Sequence, residues 1–362
     1  MERLTGVIRP YAWGSRHALA TLQGRPVPSE GPEAEFWLGA HPGDPSALDR
    51  GRLDELISAD PVGVLGEESA AEFGPRLPFL FKVLAAEEPL SLQAHPDAAR
   101  AAARYAEGNV NYVDDQHKPE ILVALAPFET LCGFREPGAT ADLLAGVPAL
   151  AKAVELLRAG DLRGAVEFLL TSPPGLVAEV LAGGLPAAQR ALVGHLADRY
   201  PGDLGALVAL LLNHVVLEPG QAIFMPAGNL HAYIRGMGVE LMAASDNVLR
   251  GGLTPKRVDV PELLDVLRFE ALADPVVRSV PVSPGLSAWP VPVREFALYR
   301  ATVSDTPVEL DAPGPRIILC TSGRVAANGL ELARGEAGFA AATEGPIVMT
   351  GHGEAYLAAV AR

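Results

Sequence analysis

Residues 215–234 can fold into little other than short strands. Val215-Val216-Leu217 stops at Glu218-Pro219-Gly220, residues 221–225 stop at Pro226-Ala227-Gly228-Asn229, and Leu230-His231-Ala232-Tyr233-Ile234 follows. Proline and glycine break helices, and β-branched or aromatic residues between such turns favour strands. Strand, turn, strand, turn, strand predicts an antiparallel meander. The same punctuation runs through the chain, with 37 glycines and 32 prolines among 362 residues, so short strands should dominate. Residues 35–39, 78–84 and 121–125 are further strand-like runs. Residues 295–302, 316–321, 345–349 and 355–360 predict a second small β module near the C-terminus. Residues 54–57, 96–106, 261–267 and the segment before Pro78 have a more helical pattern.

One region departs from this texture. From Thr140 to about Leu212 the chain is mostly Ala, Leu, Glu, Arg, Val and Gly. Leu143, Leu144, Val147, Leu150, Val154 and Leu157 recur at helical intervals. Pro173-Pro174 and Gly183-Gly184 divide the region into pieces of helix length. The expected architecture is therefore mainly β with a helical insert. Residues 1–136 and 213–275 together would form one discontinuous β domain. Residues 137–212 would form a small helical domain, and residues 276–362 a C-terminal β domain.

Charge and cysteine content narrow the function. The chain has 29 Lys+Arg and 44 Asp+Glu, a formal net charge of −15. That argues against nucleic acid and anionic membrane as partners, since both require basic surface. Two cysteines, Cys132 and Cys320, exclude a disulfide scaffold and a thiolate zinc cluster. The apolar stretch 206–217 is interrupted by Asn213 and His214 and is shorter than a membrane span needs. The N-terminus has no apolar core of signal-peptide length. A cytoplasmic monomer acting on a small molecule is expected.

Four segments carry chemistry. In Ser91-Leu92-Gln93-Ala94-His95, a strand would put Gln93 and His95 on one face. In His117-Lys118-Pro119-Glu120, Glu120 heads an apolar run and would point inward, where a carboxylate must be paired, protonated or metal-bound. His117 and Lys118 are candidates for proton transfer or anion binding. His231 and Tyr233 would share a strand face, with Glu240 one hairpin arm later. Gln93, His95, Glu120 and His231 together offer two imidazoles, a carboxylate and an amide carbonyl, a donor set suited to Zn²⁺, Fe²⁺ or Mn²⁺. In the fourth segment, Arg250 and Lys256 flank Gly251-Gly252, and two cations beside flexible backbone in an acidic chain suit an anion such as phosphate.

These segments, with Tyr11-Ala12-Trp13-Gly14, Glu35-Phe36-Trp37-Leu38-Gly39, Asn111-Tyr112, residues 128–134 and Pro226-Ala227-Gly228-Asn229-Leu230-His231, run in one order from residue 11 to 256. In that order the chain resembles the type I phosphomannose isomerases. The resemblance implies a cupin-type β-sandwich (jelly roll) interrupted by helices, and a C-terminal cupin-like domain. It implies one zinc per chain on Gln93, His95, Glu120 and His231, and places Arg250, Lys118 and Glu240 in the active site. Ser91 and Lys256 match positions for the substrate phosphate, and Lys82 and Trp13 match pocket-lining positions. Beyond about residue 275 it rests on length and position alone.

The reaction so implied interconverts mannose 6-phosphate and fructose 6-phosphate through a cis-enediol. A base moves a proton between C2 and C1 while positive charge stabilises the enediolate oxygens. Glu240 is the first candidate for that base and His117 the second. Another cupin metalloenzyme, such as an iron dioxygenase, would suit the two-histidine, one-carboxylate set but leave the phosphate cations without a role. A non-catalytic sugar-phosphate binder would have no need of Lys118, Glu240 and Arg250 beside the metal.

Overall fold

The structure is a computed structural model that describes residues 1–361. Strand Phe79–Ala86 shows how alternation builds it. Phe79, Phe81, Val83 and Ala85 enter one core, while Leu84 and Ala86 enter another on the opposite face. Strand Glu120–Ala124 repeats the pattern, with Ile121 and Val123 on one side and Leu122 and Ala124 on the other. Both faces are covered, which is why these runs read as continuously apolar.

Eleven strands form the larger β assembly. One face runs Val276–Val277, Ala222–Met225, Glu120–Ala124, the second half of His231–Ala243, Phe79–Ala86, Glu35–Leu38 and Val7–Arg9. The other runs Leu212–Leu217, Phe128–Phe134, the first half of His231–Ala243, Leu92–Ala94 and Leu249–Gly252. The two faces enclose a sandwich interior and share strand His231–Ala243, which passes from one to the other at Gly236. Gly236 has φ +137°, and a Cβ there would fall 2.7 Å from the Phe128 ring and 2.8 Å from the Pro127 carbonyl oxygen. Only glycine fits this corner.

Two expectations are corrected here. The strands of residues 212–234 do not form a meander: Leu212–Leu217 pairs with Phe128–Phe134, and Ala222–Met225 pairs with Glu120–Ala124. Turn residues decide where a strand ends, not which edge it finds. Glu240 is not one hairpin arm beyond Tyr233, because residues 231–243 are a single 13-residue strand.

The helical insert begins where the texture changes. Pro137 opens helix Pro137–Leu144, and the Glu136 carboxylate accepts from the Gly138 and Ala139 amides, a cap with proline in the first turn. Helices Ala151–Arg158, Leu162–Thr171, Leu176–Ala182 and Ala187–Arg199 follow. Leu144, Val154, Leu157 and Val166 pack with Leu131, Phe134 and Leu212 of the adjacent sheet. No single helix among the described residues is long and apolar enough to cross a membrane.

Nine strands form the C-terminal sheet. Glu2–Leu4 belongs to it, pairing with Ala337–Ala340, while Val276–Val277 pairs with Ala222–Met225. The chain thus crosses the expected boundaries at both ends of the first β domain. The runs 345–349 and 355–360 are one strand, Ile347–Ala359, in which Gly351 at φ +109° makes a bend and not a turn. Trp289, Phe296, Ile317 and Phe339 of this module share one buried core with Phe81, Val83, Ile121 and Leu241. The layers run helices, sheet, sandwich interior, sheet, shared core, C-terminal sheet.

Candidate active site

The pleat that turns Leu122 and Ala124 into the sandwich interior turns Glu120 there as well. His231 opens its strand opposite Gln93, and His95 lies just past strand Leu92–Ala94. The two faces thus bring His95, Glu120 and His231 together, each at most 3% exposed. His95 Nε2 and His231 Nε2 lie 3.0 and 3.1 Å from the same Glu120 oxygen, Oε1. His95 Nδ1 faces the Asn247 carbonyl oxygen at 2.7 Å, and His231 Nδ1 faces that of Asn229 at 3.1 Å. A carbonyl can only accept, so each Nδ1 carries the hydrogen and Nε2 is the ring nitrogen left to offer a metal a lone pair.

Three lone-pair donors converge on one point. They repel unless a cation sits among them. Burial lowers the His95 pKa and so opposes its protonation. Burial alone would raise the Glu120 carboxyl, but the Lys118 ammonium above all holds it well below its ordinary range. Tetrahedral zinc bonds of about 2.0–2.2 Å set donor atoms roughly 3.4 Å apart, close to the spacing seen. Gln93 Nε2 donates to Ser91 Oγ at 3.2 Å, which leaves its carbonyl oxygen available to the same chamber. The residues fit a divalent metal with nitrogen and oxygen ligands.

Beside this point lies a buried charge network. Lys82 shares its strand face with Leu84 and Ala86, so it too enters the interior. Its Nζ is 2.8 Å from Glu240 Oε2 and 3.8 Å from Glu35 Oε1. Burial would lower the Lys82 ammonium, but Glu240 and Glu35 more than offset it, and the group is raised above its ordinary value. The Tyr233 hydroxyl donates to Glu240 Oε1 at 2.6 Å, and burial with the neighbouring carboxylates keeps the phenol protonated. Lys118 Nζ is 3.2 Å from Glu120 Oε2. Glu35, Glu120 and Glu240 face only Lys82 and Lys118 in this chamber. A divalent cation would turn one excess negative charge into one excess positive.

The chamber opens into an outer cavity of about 390 Å³ that shares Lys82, Ser91, Gln93 and Lys118 with it and adds Trp13, Arg250 and Lys256. Trp13 stacks on Tyr11 at 5.7 Å between ring centroids. Arg250 stands opposite Gln93 on strand Leu249–Gly252 and is half-buried, which lowers its pKa. Neither Arg250 nor Lys256 has an ion-pair partner among the described residues.

Twelve of the candidate residues meet here; His117 does not. Its Nε2 lies 2.6 Å from Glu295 Oε1 of the C-terminal module, because in this extended segment His117 and Lys118 point opposite ways. His117, the second candidate for the base after Glu240, therefore does not line the pocket. Sequence reasoning missed Glu35, whose Oε2 accepts from Trp37 Nε1 at 2.6 Å. The signal was present: a carboxylate inside an apolar run, the same logic that flagged Glu120. The carbonyls of Asn229 and Asn247 left no side-chain signal.

Residues 1–137 match the family described as phosphomannose isomerase type I, catalytic domain. Mannose-6-phosphate isomerases of Shigella flexneri and Escherichia coli (strain K12) are each 37% identical to the chain, covering 98% of both partners. The Homo sapiens mannose-6-phosphate isomerase is 33% identical over 90% of this chain and 88% of its own length. The chain belongs to the type I phosphomannose isomerases. Among solved members, an alanine variant of the Salmonella typhimurium phosphomannose isomerase superposes with a TM-score of 0.93, at 33% identity over all of both chains. A mannose 6-phosphate isomerase bound with zinc and yttrium superposes at 0.91. The sandwich is thus the cupin jelly roll of type I phosphomannose isomerases, carried through the C-terminal module that no motif had reached.

Proposed function

We propose that this protein interconverts mannose 6-phosphate and fructose 6-phosphate, with one zinc held by Gln93, His95, Glu120 and His231. The observation that carries the reading is the juxtaposition in one continuous cavity of three converging lone-pair donors and two unpaired cations, Arg250 and Lys256. A zinc ion there supplies Lewis-acid charge for sugar oxygens. Lys256 and Ser91 at the outer end take the phosphate, whose binding energy orients the reacting carbons. Lys118 and Arg250 place positive charge where the enediolate oxygens develop. Glu240 takes the proton from C2 and returns it at C1. Lys82 and Tyr233 hold its carboxylate in place, and Leu84, Leu90 and Tyr233 line the chamber around it. Glu240, being on the same strand as His231, is fixed relative to the metal site by main chain alone.

We further take the protein to be cytoplasmic, a reading supported by its two free thiols, Cys132 and Cys320. The deciding experiment is a coupled assay of fructose 6-phosphate formation from mannose 6-phosphate, before and after chelation, with metal analysis on the same sample. Turnover that vanishes with chelator and returns with Zn²⁺ is expected. Full turnover in metal-free protein, or stoichiometric zinc without turnover, overturns the reading.

A further inference from the structure

The helical insert reaches the outer cavity through the four residues that follow its helix Ala187–Arg199. Helix Ala187–Arg199 stops at Tyr200, and Tyr200-Pro201-Gly202-Asp203 turns the chain back toward the sheet, with Gly202 at φ +75°. Tyr200 lines the outer cavity. Its hydroxyl donates to the Pro89 carbonyl at 2.8 Å. The next amide along, that of Leu90, donates to the Tyr233 carbonyl at 2.8 Å. The segment leading into Ser91 is therefore pinned from the insert on one side and from strand His231–Ala243 on the other.

Asp203 grips the opposite lip. Its Oδ2 accepts from the Thr254 amide at 3.0 Å, and its Oδ1 accepts from the Gly205 amide at 2.8 Å. Thr254 Oγ1 in turn accepts from the Lys256 amide at 3.1 Å. Behind this contact the two backbones touch. A Cβ on Gly252 would fall 2.6 Å from Gly205 Cα, and one on Gly205 would fall 2.8 Å from Gly252 Cα. A single turn of the insert thus holds both the Ser91 lip and the Lys256 lip of the cavity.

We propose that Tyr200 and Asp203 are positioning residues that set the gap between Ser91 and Lys256, so that the helical insert tunes affinity for the phosphate group of the substrate. The proposal rests on the reading that the phosphate sits between those two residues. Neither positioning residue touches the reacting carbons. Their effect belongs to binding of the phosphate end and not to proton transfer.

The test uses the full-length, zinc-loaded protein and the variants Tyr200→Phe and Asp203→Asn. Each keeps the bulk of its side chain, and Asp203→Asn keeps one acceptor oxygen, so folding is preserved; thermal midpoint and zinc content are recorded alongside. Each variant loses one hydrogen bond, and KM for mannose 6-phosphate should rise by about three- to tenfold. Competitive inhibition by inorganic phosphate should weaken in parallel, with kcat within about twofold of the parent. A loss confined to kcat or to the thermal midpoint, with phosphate inhibition unchanged, overturns the proposal and makes the clasp structural only. Lys256→Ala separates this from failure of the underlying reading. If phosphate inhibition is unchanged in Lys256→Ala, the phosphate sits elsewhere and the premise falls. If it weakens there but not in the two insert variants, the positioning role alone falls.

Discussion

At the scale of single residues, the site works because its side chains have no freedom to be anything else. His95 is buried with its Nδ1 committed to a main-chain carbonyl, so only Nε2 is left for a metal. His95→Ala should lose zinc and turnover together, measured by metal analysis and the coupled assay on one preparation; retained stoichiometric zinc would exclude it as a ligand. Glu240→Gln keeps the shape of the side chain but removes the proposed base. Its kcat should fall by about a hundredfold or more, as loss of a general base predicts, while KM changes little. Equal loss in KM would make Glu240 a binding group. Burial pushes the thiols of Cys132 and Cys320 up to about 11. At pH 8 both are then neutral and poor nucleophiles, and mass spectrometry after iodoacetamide treatment should find the native protein unmodified. Strand parity made Glu120, Gln93 and His95 readable in the sequence, since an inward position follows from its neighbours. His117 was not readable in that way, because it lies on a segment whose orientation is set by contact with a distant module.

At the scale of elements, strand His231–Ala243 is the one on which the site depends most. It places His231 on one sheet and Glu240 on the other, with the change at Gly236. Adding a methyl there forces a Cβ against Phe128 and the Pro127 carbonyl in a conformation L side chains rarely adopt. Gly236→Ala should cost about 1–3 kcal/mol, the range for overpacking with backbone strain, read as a lower urea midpoint at unchanged slope. The same variant should also lose turnover in the coupled assay, because the corner sets the proposed ligand His231 and the proposed base Glu240 relative to each other. Strand positions were legible from alternation and turn residues. Their pairing was not, because strands with two apolar faces carry no mark of which edge they join. The hairpin arm expected between Tyr233 and Glu240 is instead a bend at Gly236 that lets one strand serve two sheets.

At the scale of the whole molecule, the two β modules share a core. Phe81 and Leu241 from one and Trp289 and Phe339 from the other are all buried in it. Calorimetry should therefore show the modules melting in one transition; two well-separated transitions would contradict the shared core. The His117–Glu295 pair ties the modules beside the pocket. Burial would raise the Glu295 carboxyl, but His117 overcomes it and the carboxyl is lowered. A lowered folded pKa contributes stability that is present above the unfolded carboxylate value of about 4.3 and lost as pH falls through the folded value. Glu295→Gln should therefore melt below the parent at pH 7, and the two curves should converge in more acid buffer. A constant gap across that range would show that the charge of Glu295 is not what ties the modules. None of this tie was visible in the sequence, since it joins residues 178 apart.

The orientation of the two imidazoles by the carbonyls of Asn247 and Asn229 has a consequence for inheritance. Every amino acid brings a carbonyl, so no codon change can delete these two acceptors directly. The weak point in that lineage is one step removed, at the Asn247 side chain, whose amide nitrogen donates to the carbonyls of Asp114 and Gln116 at 2.8 Å each.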